Sequence, residues 1–146
     1  MAALVALDEL LKSMEPVLNA GRYAFVSVPA GHALDPSLII ASIREPEGLS
    51  AVVPLEVAMQ QGIAPMLVCA WITLTVHSDL QAVGLTAAFA AALGDAGISC
   101  NVVAGVCHDH IFVPEIEADE ALAILCRLQQ SARGALDEPR SAAVLR

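Results

Sequence analysis

Apolar positions recur along the chain with a period that changes from stretch to stretch, and the period predicts the elements. Leu4, Leu7, Leu11 and Met14 fall at helical spacing, which predicts a helix over 4–17 with Pro16 at its end. Asn19-Ala20-Gly21 signals a turn, and the β-forming run from Tyr23 to Val28 predicts a strand that stops at Pro29-Ala30-Gly31. Asp35-Pro36 places a capping side chain before a proline at the first helical position, so a short helix is expected through Ile40. Glu45-Pro46-Glu47-Gly48 is a turn, followed by a strand over 49–54 and a short helix over 55–61 that Gly62 ends.

The second half is patterned more sharply. From Trp71 to His77 the chain alternates, with Ile72, Leu74 and Val76 on one side and Trp71, Thr73, Thr75 and His77 on the other. Leu85, Phe89 and Leu93 form a stripe along an alanine-rich helix over 84–95, which Gly97 closes. Strands are expected over 98–104 and 110–113, the latter stopped by Pro114, and a helix over 118–130 with Leu122, Leu125 and Leu128 turned inward. Beyond it the chain is polar, either disordered or supplying a late edge strand over 142–145.

Strands alternate with helices, with a hairpin between two strands, in a loose two-fold rhythm. That order predicts an α+β fold on a ferredoxin-like plan. Its expected division is an N-terminal half over 1–65, a C-terminal domain over 66–132 and a polar tail over 133–146.

Composition narrows the function classes. The 146 residues are enough for one continuous core, and 57% are hydrophobic while only 3% are aromatic, which suits helices packed tightly on a sheet. Sixteen acidic against seven basic residues give a formal charge of −9, which opposes binding to nucleic acid or to an anionic membrane. The mean hydropathy of +0.67 is high, but polar residues interrupt every apolar run before the ~20 residues that a spanning helix requires. The N-terminus has no signal-peptide plan, so a cytoplasmic location is expected. Cys69, Cys100, Cys107 and Cys126 sit among apolar neighbours without a CxxC pair and read as reduced, packed residues.

The stretch from Gly84 to Ile98, GLTAAFAAALGDAGI, resembles the core signature of ACT domains. Segments 45–50, 76–84, 98–105 and 108–114 also resemble a family of stand-alone ACT-like proteins, and the likeness extends from Leu7 to Leu128. It implies a βαββαβ sensor fold, with two interleaved ACT-like half-domains and antiparallel sheets. The second half offers only three strands where four are needed, so Tyr23–Val28 is expected to complete its sheet. The resemblance further implies a non-catalytic regulatory domain without a cofactor. An amino acid or similar small ligand would sit at a domain or subunit interface in a homodimer that acts on a separate enzyme partner.

Carried across by position, the ligand contacts before the helix fall on Gln81, Ala82, Val83 and Gly84, and those on the facing strand fall on Ser99, Cys100, Asn101 and Val102. Many ACT domains carry an acidic residue or Asn three positions before that glycine and Pro just before it, where this chain has Gln81 and Val83. Helix N-termini favour carboxylates, and an Asn amide can serve both ends of an amino acid.

The alternative reading rests on His108-Asp109-His110. Residues two apart on a strand share a face, so His108 and His110, with His77 as a third ligand, would suit a metal-binding protein or a small metal-dependent enzyme. The structural alternative is a histidine pair at a hairpin mouth. A Cys107–His108 nucleophile pair is disfavoured, since strand neighbours point apart. Glu45 and Glu47 flank a turn with nothing to raise either pKa. A bare oligomerisation module without ligand is the third possibility.

Overall fold

The computed structural model describes residues 2–76 and 80–137. In chain order the elements are α1 (Ala2–Ser13), β1 (Pro16–Leu18), β2 (Tyr23–Val28), β3 (Ala41–Glu45), β4 (Gly48–Pro54), α2 (Leu55–Gln60) and β5 (Leu67–Leu74). There follow α3 (Leu85–Asp95), β6 (Asn101–Ala104), β7 (Asp109–Pro114) and α4 (Ala118–Asp137). His77, Ser78, Asp79 and the suggested edge strand over 142–145 lie outside the described residues.

All strands join one antiparallel sheet in the order β3-β4-β2-β5-β7-β6, with β1 also paired to β5. The order is two ferredoxin-like sheets fused at β5. Beside β2, the start of β5 serves the first repeat as its last strand. On the same edge β1 serves the second repeat, with Val17 opposite Thr73 and Leu18 opposite Ile72. β2 then takes over, with Tyr23 opposite Cys69 and Phe25 opposite Leu67, before it parts from β5 and stays with β4. The two repeats are interleaved, but the strand that completes the second repeat is β1 and not Tyr23–Val28, which belongs to the first repeat and meets β5 only from Tyr23 to Phe25.

Alternation assigns every strand position to one of two faces. Ala70, Ile72, Leu74, Ile111 and Val113 turn toward α1, α3 and α4, where they meet Met14, Phe89, Leu93 and Leu125, all fully buried except Ala70 at 5% exposure. Further along the same face, Ala24, Val26, Ala51 and Val53 pack under α2. The opposite face carries no helix among the described residues, and on it lie Tyr23, Val52, Cys69, Trp71 and Phe112.

Several boundaries differ from the expected ones, among them that of β5, which begins at Leu67 and ends at Leu74 instead of running from Trp71 to His77. α1 stops at Ser13 because Pro16, which has no N–H, opens β1 instead of ending a helix. The helix expected after Asp35 is a single 3₁₀ turn, Pro36–Leu38, although the cap is real: Asp35 Oδ1 accepts the Ser37 N–H at 2.9 Å. The residues after it form β3, an edge strand on which only Ile43 is large and apolar. Ile98 is not in β6 but closes α3, its N–H donating to Leu93 O at 3.0 Å. α4 continues past Gln130 to Asp137. Gln129, 6% exposed, donates from Nε2 to Lys12 O at 3.0 Å and so ties the end of α1 to α4.

Candidate functional site

The expected ligand loop leads into α3 through Gly84, whose φ of +104° is left-handed. A side chain there would be strained, and a Cβ would come within 3.2 Å of Leu7 Cδ2 on α1. The carbonyl of Gly84 accepts the first helical bond, from Ala88 N–H at 3.0 Å. The N-cap residue, a glycine, offers no capping side chain, and the N–H groups of the first turn have no intrahelical acceptor. Gln81, Ala82 and Val83 are exposed, and Gly84 is half-buried. This end of α3 is a partially positive helix terminus preceded by the exposed residues Gln81 to Val83.

The second expected segment stands apart from it. α3 starts after Gly84 and runs for 11 residues, ~16 Å, before the chain turns toward Ser99, Cys100 and Asn101. The register agrees: Ala104, not Asn101, is level with the end of β5, through Asp109 opposite Leu74. Asn101 is level with Phe112 and Trp71 and is exposed, as is Ser99. Cys100 and Val102 pack against the helix-side core, and burial raises the Cys100 thiol pKa. Within one chain the two segments occupy opposite ends of α3.

The histidines are placed by other partners. His110 lies on the helix-free face, where the Trp71 Nε1–H donates to its Nδ1 at 2.9 Å. An indole nitrogen only donates, so Nδ1 is the acceptor and the neutral ring carries its proton on Nε2. Thr73 Oγ1 stands 3.2 Å from the same Nδ1, and Asn19 Nδ2 donates to that hydroxyl at 2.9 Å. Burial chiefly, and then the neighbouring His108, lower the His110 pKa, with Asp109 opposing them. His108 precedes β7 and faces Val76 O at 3.4 Å. Among the described residues no group of three or more His, Cys, Asp or Glu side chains is arranged to hold a metal. The Cys69 thiol, buried under the aromatic cluster, is pushed up to about 11. Glu45 Oε1 accepts from Ser50 Oγ across the β3–β4 hairpin, so this carboxylate serves the turn.

Sequence patterning did not foresee the cavity that these side chains form. Trp71 and Phe112 stack at 6.2 Å, Tyr23 meets Trp71 edge-on at 5.3 Å, and Phe25 meets Phe112 edge-on at 5.6 Å. Over this floor lies a cavity of about 270 Å³, walled by Ile39, Ile40 and Ala41 on one side and Val103 on the other, with His110 contributing the polar group. An adjoining hollow of about 90 Å³ reaches Phe25 and Ile43. The one available signal was that Trp71 and Thr73 alternate with core residues, and it gave no partner for them.

Comparison with known proteins bears on the family and the fold. Sequence profiles described as ACT domain match residues 3–70 and 67–127. A solved protein of unknown function from Vibrio cholerae, described as a possible transport protein, is 49% identical with a TM-score of 0.75, over 88% of this chain and 99% of that one. An Agrobacterium tumefaciens protein shares the fold at 17% identity and a TM-score of 0.59, over 80% of this chain and 89% of its own. The ligand-free regulatory subunit of aspartate kinase from Thermus thermophilus shares it at 10% identity and a TM-score of 0.59, over 80% of this chain and 97% of that subunit. A search of curated proteins finds no match.

Proposed function

The chain belongs to the ACT domain family and carries two of its repeats, and on that premise we propose that it is a non-catalytic regulatory module for an amino acid or a similar small ligand. The observation that carries this reading is the start of α3 behind the left-handed Gly84, an N-cap without a side chain. N–H groups without an intrahelical acceptor and the positive end of the helix dipole suit an α-carboxylate, and glycine lets it approach the backbone. Thr86 and Ala87, exposed in the first turn, leave that end open.

Ser99 and Asn101 complete the site from a second copy, because within one chain they stand at the far end of α3. The ligand then bridges a homodimer, with Gln81 to Gly84 from one subunit and Ser99 to Val102 from the other. Binding favours one pairing of subunits, and a separate enzyme partner responds to that shift. Such a role is cytoplasmic, needs no cofactor, and involves neither nucleic acid nor membrane. The charge of −9 and the lack, among the described residues, of a helix able to cross a membrane support that reading.

A thermal-shift series with the twenty amino acids tests it. A ligand at 100 times its Kd adds about 2.7 kcal/mol, a rise of several degrees. The expected result is a rise with one or two amino acids that Asn101→Ala abolishes, with light scattering showing a dimer. A rise that survives both Asn101→Ala and Gln81→Ala, or no rise with any amino acid, would overturn the site.

A further inference from the structure

We propose that the site at the start of α3 takes an amino acid with an uncharged, apolar side chain, and that Leu7 of α1 is the residue that selects it. The inference rests on the amino-acid site proposed above and names its ligand class.

The helix that carries Leu7 belongs to neither repeat. The first repeat uses β2, the 3₁₀ turn, β3, β4, α2 and the start of β5, and the second uses β5, α3, β6, β7, α4 and β1. α1 is therefore an addition to the family plan. Its C-terminal end is tied to α4, where Gln129 Nε2 and Arg133 Nε both donate to Lys12 O, at 3.0 and 3.3 Å. Held there, α1 lays Leu7 against the entrance of α3. A Cβ on Gly84 would meet Leu7 Cδ2 at 3.2 Å and Cδ1 at 3.4 Å, so this side chain stands directly beside the N-cap residue. Leu7 is half-buried, which leaves part of its apolar surface open.

The approach to Gly84 is apolar as well. Val83, immediately before it, is 85% exposed, and Leu80 is 63% exposed. A ligand whose α-carboxylate sits on the first-turn N–H groups brings its side chain to this entrance. An aliphatic side chain there removes apolar surface from water, whereas a polar one loses water without gaining a partner from Leu7, Leu80 or Val83.

Charge disfavours the remaining classes. No Lys or Arg occurs between Arg44 and Arg127, so neither segment of the site offers a cation to a side-chain carboxylate. From Leu80 to His108 the chain has a single acidic residue, Asp95, four positions before Ser99. In the bridged site it arrives with the segment from the second copy, and the α-ammonium that every amino acid carries is its match. A side-chain cation finds no second carboxylate in either segment.

Thermal shifts with the twenty amino acids at equal concentration test the class. The rise should come from an aliphatic amino acid such as leucine or methionine, with none from glutamate or lysine. Leu7→Ala removes apolar contact, so the apparent Kd for that ligand should rise about three- to tenfold. Leu7→Met conserves volume and should stay within about twofold of the native chain. Each shift is read against the same variant without ligand, so stability lost through the substitution itself does not enter. A rise confined to charged or polar amino acids, and abolished by Asn101→Ala, would leave the site standing and overturn its ligand class. An affinity unchanged in Leu7→Ala would overturn the role of Leu7. No rise with any amino acid would overturn the site and this inference with it.

Discussion

The two repeats share a strand order and differ in what covers it. In the C-terminal repeat α1, α3 and α4 lie on the sheet, and the core includes Phe89, Leu93, Met14 and Leu125, all fully buried. The N-terminal repeat has one six-residue helix, α2, and a 3₁₀ turn where its counterpart has α3. Its core is built from smaller side chains, Ala24, Val26, Ala51 and Val53. The contrast shows that pairing alone transmits the fold, since β5 belongs to both repeats. Helices, and the helix terminus that suits an anion, belong chiefly to one. The segment that replaces the missing helix supplies Ile39 and Ile40 to the aromatic cavity instead.

The largest expected effect tests whether the repeats are one unit. Phe89→Ala empties the centre of the C-terminal core and should cost about 3–5 kcal/mol. If the shared β2–β5 pairing couples the halves, chemical denaturation stays a single transition, and amides of β2 and β4 exchange together with those of β5 and β7. Protection retained in β2 and β4 alone would show two separable units.

Gly84→Ala comes next. It forces a side chain into a left-handed turn and against Leu7, so a loss of about 1–3 kcal/mol is expected by thermal denaturation. The same substitution at Gly94, within α3 and with open space around it, should stabilise by about 0.5–1 kcal/mol. Equal effects at the two positions would remove the special status of the α3 entrance.

A smaller effect follows from His110. Its folded pKa lies below the ordinary value of 6.5, first because burial disfavours the charged ring and then because His108 repels it. The stability it contributes is therefore present above about 6.5 and lost as the pH falls through the lower folded value. Melting temperatures followed from neutral to mildly acidic pH should fall more steeply in the native chain than in His110→Phe. Parallel curves would refute that assignment.

The smallest effect belongs to Arg22 and Glu115, an exposed bidentate pair that links the loop before β2 to the residue after β7. Solvent screens such a pair, so a double-mutant cycle should find little coupling between them. A large coupling would mean that the repeats are clamped at this point as well as through the sheet.

Much of the fold was legible because its signals are local. The run from Tyr23 to Val28, the stripe Leu85, Phe89 and Leu93, and the proline after Val113 each declare an element through residues close in sequence. β3 escaped because an edge strand need not be apolar, and Ala-Ser-Ile-Arg-Glu offers a single large hydrophobe. β1 escaped because three residues carry no period. The loop at Gly84 was legible through family likeness and helix-start chemistry. By contrast, the Trp71–His110 bond joins residues 39 apart through the β5–β7 register, and no spacing rule reaches across it. His110 therefore suggested a metal ligand in the sequence and is a clamped ring in the structure.

The shared edge of β5 also sets a timetable for folding. Val17 finds its partner at Thr73 and Leu18 at Ile72, so the earliest strand waits for the chain to reach β5. Closing that loop costs entropy before any pairing rewards it, which places β1 among the late events and slows assembly relative to hairpins such as β3–β4. During synthesis the first repeat can form its hairpin while β1 is still unpaired. Only when β5 emerges does one strand commit both repeats at once.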